Sequence, residues 1–428
     1  MTDDPLLARA CSGLETWNKL SEADRNQVCN SIVDIAFKRR LSTAEISQLS
    51  ESLAQSGSSS AMHFDTSPLF DFSSTGGGNS LTTILPPFLA ASQGLFLPQL
   101  SVPGEIAGAI DTLGLIPDFK INLASFQIEE ALRVSHLAFS LNSEDLAPAD
   151  LHLFNVRISR NAKKLEDLVI ASLLSKKIAT GVNSFLLDVR VGPNGNFGGT
   201  VQEAEANCNK LLKVSKKIGI HCTCVMTNHN VASMPVFGRL ESLSVLLSVA
   251  NNEHLDQWTQ HHVETCIEVA AYGVSAVSGE DMLKTKIRIE KSIESGELRN
   301  EVGLSLSSQG SSMESLESTL TRMKKEYRFR IRVNSRGFVR EIEYTKIRDL
   351  FRETYEKECG EYLFCSPIGL KFLFREGDMV KKGDTILVVR MNQAQARKVA
   401  NESKNLVSFG RMKGSIDTTR IYGVVRNE

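Results

Sequence analysis

The chain is organised around one stretch, Asp71-Phe72-Ser73-Ser74-Thr75-Gly76-Gly77-Gly78-Asn79-Ser80, and an apolar helical pattern begins directly after it at Leu81. Consecutive glycines let a backbone turn its N–H groups into one concavity, and a helix that follows points its positive end to the same place. The stretch therefore predicts an anion-binding turn, with Ser74, Thr75 and Thr83 as hydroxyl donors. The alternative is a tightly packed helix entrance that holds no ligand.

Composition excludes several classes of protein. The 428 residues are enough for two or three domains, and a hydrophobic content of 42% with 23% charged residues is ordinary for a globular protein. A net charge of −1 argues against a nucleic-acid binder or a protein of anionic membrane surfaces. The chain shows no transmembrane-length apolar run, no signal peptide and no CxxC pair. We therefore expect a cytoplasmic protein with eight reduced cysteines and neither nucleic acid nor membrane as a partner.

The order of apolar patterns predicts an α/β protein. Residues 14–55 read as helices, with a start at Ser21 and a capping box at Ser42 and Glu45. Strand-like and helical runs alternate over 68–132, and residues 152–179 are helical again. A strand at 185–191, a helix at 200–219 and a strand at 220–227 form a βαβ unit, which predicts a parallel sheet.

The remainder of the chain shows two different sequence patterns, one of helices and one of short strands and turns. Helices are expected at 238–247 and 255–273, and the Ser-rich stretch 303–318 is expected to be a loop. Short strands are expected at 327–333, 337–342 and 371–374. The turn-rich hairpin at 376–384 is of the kind found in lipoyl- and biotinyl-like sandwiches. Because no Met-Lys-Met carrier site is present, we interpret this hairpin as structural.

Five blocks in order resemble the thymidine/pyrimidine-nucleoside phosphorylase family. The glycine-rich stretch is similar to the family's Asp-Lys-His-Ser-Thr-Gly-Gly-Val-Gly-Asp, and residues 110–119 are similar to its (Leu/Ile)-Asp-Lys-Leu-Glu-Ser-(Ile/Val)-Pro-Gly-Phe. The other three blocks are Asp145-Leu146-Ala147-Pro148-Ala149-Asp150, Ser175-Lys176-Lys177-Ile178-Ala179 and Leu187-Asp188-Val189-Arg190-Val191-Gly192.

The resemblance implies an α/β fold of the nucleoside phosphorylase and phosphoribosyltransferase type. A small all-helical domain would comprise 1–65 and 150–179, with a linker at 56–68. A large α/β domain with a central, mostly parallel sheet would comprise 66–149 and 180–320, and a C-terminal α+β segment would comprise 321–428. In the family the helices of the small domain also form the dimer interface. That region looks shortened here, so a homodimer is left open.

The base-binding side of the family is retained. The resemblance implies that Arg157, Ser172 and Lys176 contact a pyrimidine base or nucleoside. Phe154 stands where the family has Tyr, which keeps the ring but loses the hydroxyl. Ser172 and Lys176 are four residues apart on one helix face. If one helix were continuous from Arg157, that residue would lie roughly 60° away. Donors aimed at the ring would stabilise a base that leaves with negative charge, whereas each charge alone would be an ordinary solvated helix residue.

The phosphate-binding side is altered. The resemblance implies phosphate contacts in this region at Ser74, Thr75, Gly76, Gly77, Thr83 and Ser101. Four other matching positions have changed: Phe72 replaces Lys, Ser73 replaces His, Glu105 replaces a second His and Ala109 replaces Thr.

No Lys or Arg occurs between Leu41 and Phe119, so this lobe has no local cation to replace the missing Lys. Losing a charge-assisted hydrogen bond to a buried phosphate costs about 1.5–3 kcal/mol. A cation could still be supplied from elsewhere, by Lys120, Arg190 or a bound metal. We expect ordinary phosphorolysis to be impaired.

Two other constellations are weaker. His262 and Cys266 have metal-ligand spacing, but no second ligand pair accompanies them, so we expect a helix face and no metal site. Glu241 resembles a Glu that supports a monovalent cation in some family members, although the partner positions Asn79 and Leu81 are altered. No nucleophile with a paired base can be identified, so the catalytic residues are unknown.

Three functional interpretations remain open. The first is a divergent relative that binds a pyrimidine base or nucleoside in an interdomain cleft, with phosphorolysis impaired or lost. The second is an active phosphorylase, or a related pentosyltransferase with a rebuilt acceptor site that uses phosphate, water or another acceptor. The third is a structural partner with a vestigial cleft. No cofactor is expected, and phosphate is the candidate co-substrate.

Overall fold

The computed structural model describes residues 4–57, 68–77, 79–141, 145–193, 195–323, 325–326, 328–359, 364–391, 401–402, 404–412 and 417–427. The helices are α1 (Pro5–Glu15), α2 (Glu22–Lys38), α3 (Thr43–Ala54), α4 (Leu85–Ala91), α5 (Ala109–Leu113), α6 (Ser125–Ser135), α7 (Pro148–Ser159), α8 (Glu166–Ala179), α9 (Val201–Lys217), α10 (Arg239–Ala250), α11 (Gln257–Ser278), α12 (Met282–Glu294), α13 (Glu297–Ser308), α14 (Met313–Met323) and α15 (Tyr344–Glu358). The strands are β1 (Phe70–Ser74), β2 (Leu97–Ser101), β3 (Leu137–Leu141), β4 (Ser184–Val191), β5 (His221–Asn228), β6 (Val236–Phe237), β7 (Arg328–Arg332), β8 (Gly337–Ile342), β9 (Ile368–Phe372), β10 (Met379–Val380), β11 (Thr385–Met391), β12 (Val407–Gly410) and β13 (Ile421–Arg426).

The N-terminal helices pack against helices from much later in the chain. Helix α3 packs against α1 and α8, and α2 packs against α7. The predicted capping box is confirmed, because the Ser42 hydroxyl accepts the Glu45 N–H while the Glu45 carboxylate accepts the Ser42 N–H. The Asp167 carboxylate of α8 accepts the Leu41 N–H at 2.7 Å, which ties the start of α3 to the later helices.

The central sheet has the strand order β1-β4-β5-β13. Strands β1, β4 and β5 are parallel, and β13 adds antiparallel to β5. Residues 185–191 of β4 are all buried, as expected for the middle of a parallel sheet covered on both faces. Helix α9 crosses between β4 and β5, so the βαβ prediction and the predicted mixed α/β class are confirmed.

The C-terminal part forms two further sheets, with orders β10-β8-β12 and β6-β9-β11-β7. Two strands link it to the α/β body: β6, which directly precedes α10, pairs with β9, and β13 returns to the central sheet. The predicted strand at 371–374 is observed slightly earlier, as β9. The predicted domain boundaries stay predictions.

The Ser-rich stretch 303–318 is not a loop, as predicted, but lies mostly in α13 and α14. Its serines bond within the helices: the Ser307 hydroxyl donates to the Leu304 carbonyl at 2.9 Å and the Ser308 hydroxyl to the Ser305 carbonyl at 3.0 Å. Buried leucines at the core-facing positions, Leu306, Leu316 and Leu320, outweigh the low helix preference of serine.

The helical region 152–179 is broken between α7 and α8, so the geometry of a continuous helix does not apply. The backbone turns at Asn161, whose φ of 53° lies in the left-handed region that Asn tolerates better than most residues. Residues from the two helices therefore meet because the chain folds back, rather than because of helical spacing.

The prediction of eight reduced cysteines is wrong at one pair. Cys359 and Cys365 form a disulfide, with Cα atoms 5.9 Å apart, a separation that a disulfide can span. Six cysteines are free and buried: Cys11, Cys29, Cys208, Cys222, Cys224 and Cys266.

Among the described residues, no helix is both long enough and apolar enough to cross a membrane. The predicted linker at 56–68 falls largely on residues 58–67, which lie outside the described residues, as does Gly78 of the glycine-rich stretch.

Candidate functional site

The glycine-rich turn follows β1 at the carboxyl end of the parallel strands, the edge where α/β sheets commonly bind ligands. Thr75 anchors the turn to β4: its N–H donates to the Asp188 carbonyl at 3.0 Å, and its hydroxyl accepts the Arg190 N–H at 3.1 Å. Gly76 and Gly77 have φ values of 71° and 76°, in the region where glycine is favoured. The turn is therefore held at a fixed position above the sheet.

One cavity of about 230 Å³ opens beside this turn and is called the first cavity below. Its lining includes all the positions that the family resemblance assigned to the base-binding and phosphate-binding sides: Phe72, Ser73, Ser74, Thr75, Gly76, Gly77, Thr83, Ser101, Glu105, Ala109, Phe154, Arg157, Ser172 and Lys176. The structure thus brings the predicted residues together, while their individual roles remain predictions.

The base-side residues come from α7 and α8. The Lys176 ammonium donates to Asp150 Oδ2 at 2.6 Å and to the Ser172 hydroxyl at 2.9 Å. Both Lys176 and Asp150 are buried, so their charges compensate each other within the protein. This pair fixes the position of the Ser172 hydroxyl at the cavity wall.

Arg157 is only 3% exposed, and none of its described partners is a carboxylate. It donates to the Leu168 carbonyl at 3.4 Å and to the Lys163 carbonyl at 2.9 Å, and its Nε–H has no partner among the described residues. Burial lowers the pKa of Arg157 to about 10, which still leaves it charged at neutral pH. A guanidinium has five N–H groups, so donors remain for a ligand.

Phe72, at the family's Lys position, directs its ring away from the cavity. The ring packs edge-on against Phe70 at a centroid distance of 5.0 Å. It lies so close to α11 that a Cβ added at Gly273 would be 2.5 Å from the Phe72 ring. Phe72 therefore borders the first cavity but does not fill it.

Below the turn, a lysine that motif reading did not single out approaches Ser73. The Lys177 ammonium donates to the Ser73 hydroxyl at 2.8 Å and forms an ion pair with Asp71. Lys177 is fully buried, and burial lowers its pKa from the usual lysine value. Its charge is compensated by Asp71, so it is not offered to a ligand.

Two more cations reach the first cavity from outside the 41–119 lobe, and both are paired. Lys163, from the α7–α8 connection, forms an ion pair with Glu105. Arg190 donates to Asp188 Oδ2 at 2.9 Å and to the Gly77 carbonyl at 2.7 Å. Arg190 had been named from the sequence as a source of positive charge. Lys163 had not, because nothing in its local sequence indicates where the connection runs.

The weaker constellations have other partners. His262 Nε2 accepts the Leu81 N–H at 2.9 Å, and the described residues contain no cluster of three or more metal-ligating side chains. Glu241 forms a two-pronged ion pair with Arg390, with distances of 2.6 Å and 3.1 Å. A guanidinium thus occupies the neighbourhood in which the resemblance had suggested a monovalent cation.

Comparison with known proteins gives the family relationship. The sequence matches no protein-family profile. It is 23% identical to a pyrimidine-nucleoside phosphorylase of Staphylococcus haemolyticus over 76% of this chain and 74% of the relative. It is 22% identical to one of Geobacillus stearothermophilus over 84% and 83%. A 168-residue stretch, 38% of this chain and 37% of the relative, is 34% identical to a thymidine phosphorylase of Mesorhizobium japonicum.

Among solved structures, an anthranilate phosphoribosyltransferase from Thermus thermophilus aligns with a TM-score of 0.48 and 14% identity, over 73% of this chain and 98% of that one. The sequence relatives agree with the resemblance seen in the five motif blocks. This chain is similar to the thymidine and pyrimidine-nucleoside phosphorylases, at low identity over most of its length.

Proposed function

We propose that this divergent relative of the pyrimidine-nucleoside phosphorylases binds a pyrimidine base or nucleoside in the first cavity, and that ordinary phosphorolysis is impaired or lost. The observation that carries the binding half is the convergence of Arg157, Ser172 and Lys176 on one cavity wall. These side chains come from two helices and present cationic and hydroxyl groups to the same space. The base of thymidine or uridine carries two carbonyl oxygens, which are the acceptors that such donors require, and a departing base would add negative charge to the ring.

The proposal that phosphorolysis is impaired rests on the charges around the glycine-rich turn. Of the cations beside the turn, Lys163 is paired with Glu105, Lys177 with Asp71 and Arg190 with Asp188. A phosphate dianion would have to displace one of these carboxylates or accept its repulsion. The Glu105 carboxylate is the most exposed of the three and lines the cavity itself. Positioning and charge stabilisation of the attacking phosphate are therefore both weakened.

Calorimetric titration with thymidine and uridine, with and without phosphate, tests the proposal. Chromatography of the same samples measures free base. We expect nucleoside binding that does not depend on phosphate, with little or no release of base. Base released only when phosphate is present would show that phosphorolysis survives. Absence of nucleoside binding would overturn the proposal and favour a protein with a vestigial cleft.

Substitution of two arginines, Arg157 of α7 and Arg160 at the C-cap of that helix, tests where the nucleoside binds. Arg157→Ala removes the cavity guanidinium, and we expect it to weaken nucleoside binding about tenfold or more, the loss typical of a charge-assisted hydrogen bond. Arg160→Ala is the matched control, because Arg160 lies three residues on and pairs with Asp34 at the surface. Equal effects of the two substitutions would contradict the assignment of the first cavity.

The alternative is an active phosphorylase or pentosyltransferase with a rebuilt acceptor site. The specific observation in its favour is that Lys163 and Arg190 both reach the first cavity, so positive charge is present although its partners are carboxylates. Ser74, Thr83 and Ser101 also keep hydroxyls at the same wall. Phosphate-dependent base release that is lost in Lys163→Met would identify this alternative as correct.

A further inference from the structure

A second cavity lies behind the glycine-rich turn, outside the site described above. Its volume is about 450 Å³, within the range of pockets that hold small molecules. It is lined by the end of β5, the first half of α11, the hairpin near Arg375 and the segment before β13. Ser80 and Thr82, just after the turn, also line this second cavity but not the first one.

His262 gives the second cavity a buried donor. Its Nε2 accepts the backbone N–H of Leu81 at 2.9 Å, so in the neutral ring the proton is on Nδ1. The residue is 3% exposed, and burial lowers its pKa to about 4, which keeps the ring neutral. Nδ1 has no protein partner among the described residues, so this N–H is left to the cavity that the ring lines.

His229 and Trp258 add ring surface. The Nδ1 of His229 lies 3.4 Å from the Ser233 hydroxyl, and its Nε2 has no partner among the described residues. Burial lowers the pKa of His229 to about 3, so this ring is also neutral. The Trp258 indole N–H donates to the Ala232 carbonyl at 3.1 Å, so Trp258 offers the cavity ring surface rather than a donor.

The carboxylates around the second cavity already accept hydrogen bonds from the protein. Glu376 accepts from the Ile342 N–H, Asp378 from the Arg375 N–H at 2.9 Å, and Asp417 from the Thr419 N–H at 2.9 Å. Each of these carboxylates thus has at least one protein donor, and Asp417 also accepts from the Tyr422 hydroxyl.

Arg420 and Arg375, which both line the second cavity, differ in their ion pairs. Arg420 pairs with Glu264 and Glu268. The Arg375 guanidinium lines the cavity and has no ion pair among the described residues. Together with burial and the Arg420 charge, its positive charge lowers the pKa of the neighbouring His261. Two donors on this wall are available to a ligand, because the Arg375 guanidinium has no ion pair and the His262 Nδ1–H no acceptor among the described residues. An anion that also carries acceptors would satisfy both.

We propose that the second cavity binds a small anionic heteroaromatic molecule of the nucleoside monophosphate type. Its ring would lie against Trp258 and the two neutral imidazoles and accept the His262 Nδ1–H, and its phosphate would pair with Arg375. Aromatic walls hold planar rings, and arginine matches phosphate with two parallel hydrogen bonds. The site is independent of the pyrimidine site proposed for the first cavity.

Calorimetric titration with uridine and adenosine 5′-monophosphates tests this site, with the two nucleosides and inorganic phosphate as separate probes. We expect adenosine 5′-monophosphate, whose purine base the first cavity is not proposed to bind, to bind more tightly than either adenosine or phosphate. Arg375→Ala should weaken nucleotide binding about tenfold, as expected for a lost charge-assisted hydrogen bond. Arg375 is exposed, so the variant should fold normally.

Two control variants locate the bound nucleotide. Arg336→Ala removes another exposed arginine of the same region, whose guanidinium donates, among the described residues, to Met379 Sδ at 3.6 Å. Arg157→Ala removes the guanidinium of the first cavity. Neither should change the affinity for adenosine 5′-monophosphate. The proposal is overturned if the nucleotides do not bind, if phosphate alone binds equally well, or if Arg157→Ala weakens nucleotide binding and Arg375→Ala does not.

Fluorescence gives an independent readout, because the chain has only two tryptophans. Trp17 is buried among the N-terminal helices, whereas Trp258 lines the second cavity. Nucleotide binding should change the emission of the wild-type protein, and Trp258→Phe should remove that change. A change that persists in Trp258→Phe would contradict a ring bound against this side chain.

Discussion

At the mouth of the first cavity, the Glu105 carboxylate is paired with the Lys163 ammonium where the family resemblance suggests a bound phosphate. Glu105→Gln removes the negative charge and leaves Lys163 free to meet an anion. Because the pair is partly exposed, the gain should be about 1 kcal/mol, or roughly fivefold in phosphate affinity, measured by calorimetry.

Glu129→Gln is the control for this substitution, because Glu129 also forms a partly exposed ion pair, with Arg133 on α6. It should leave phosphate affinity unchanged. If Glu105→Gln also has no effect, the Glu105 carboxylate does not oppose phosphate, and the loss of the family's Lys becomes the main reason for weak binding. The two substitutions therefore separate charge repulsion from a missing donor.

At the residue scale, the sequence could place side chains near one another where a motif carried the position, while their roles stay predictions. Arg157, Ser172 and Lys176 could be placed together because a known pattern fixes their spacing, even though α7 and α8 are not one helix. Lys163 could not be placed, since its position depends on the path of a connection that turns at Asn161. The direction of the Phe72 ring could not be predicted either, because it depends on Gly273 of α11, which is distant in the sequence.

At the scale of elements, strand β1 and helix α11 fit together through the absence of a side chain at Gly273. An added Cβ would be 2.5 Å from the Phe72 ring and 3.0 Å from the Phe70 ring. Both rings are buried and cannot withdraw easily. We expect Gly273→Ala to lower stability by about 1–3 kcal/mol, the usual result of overpacking a core, in thermal unfolding followed by calorimetry.

Gly303→Ala is the matched control, since Gly303 also lies inside a helix, α13, but its added Cβ would be 3.4 Å from Met313 Cγ. At that position alanine should raise the free energy of unfolding by up to about 1 kcal/mol, because alanine favours the helix more than glycine does. Destabilisation by both substitutions would mean that helix geometry, rather than the contact with Phe72, decides the result at Gly273.

Helix α13 also carries a carboxyl group that should make stability depend on pH. Glu301 is buried with no hydrogen-bond partner for its Oε1 among the described residues, and burial raises its pKa from 4.5 to about 8. Between these values the unfolded chain is ionised at Glu301 while the folded chain holds a proton. The folded state therefore loses stability as pH rises from 4.5 to 8, by at most about 1.4 kcal/mol per pH unit.

Glu301→Gln keeps the shape of the protonated group and cannot ionise. We expect the fall in melting temperature between pH 5.5 and 8 to become smaller in this variant than in the wild type. Glu294→Gln, at the exposed end of α12, should leave the fall unchanged. An unchanged pH profile in Glu301→Gln would show that Glu301 is already ionised in the folded protein at neutral pH.

Elements could be predicted where side-chain periodicity and capping decide them, as at Ser42 and in the βαβ unit around α9. The Ser-rich stretch 303–318 was assigned as a loop because composition was weighed above its buried leucines. The return of β13 to the central sheet also could not be foreseen, because strand pairing between segments so far apart in the chain leaves no local signal.

At the scale of the whole molecule, Arg390 joins the C-terminal sheets to the α/β body. This residue of β11 is 3% exposed and contacts Glu241 of α10 with two hydrogen bonds of 2.6 Å and 3.1 Å. It also donates to Glu326 and to the Ser366 carbonyl. A single buried guanidinium thus connects three separate segments.

Arg390→Met should be strongly destabilising, because it leaves the Glu241 carboxylate in a largely buried place without its cation. Removing one partner of a buried pair typically costs about 3–5 kcal/mol, whereas replacing both by apolar groups can be nearly neutral. The double variant Arg390→Met/Glu241→Leu should therefore recover much of the lost melting temperature. Arg352→Met, at an exposed ion pair on α15, is the control and should change it little. If the double variant is as unstable as Arg390→Met alone, the contacts of Arg390 with Glu326 and Ser366, rather than its pair with Glu241, hold the two parts together.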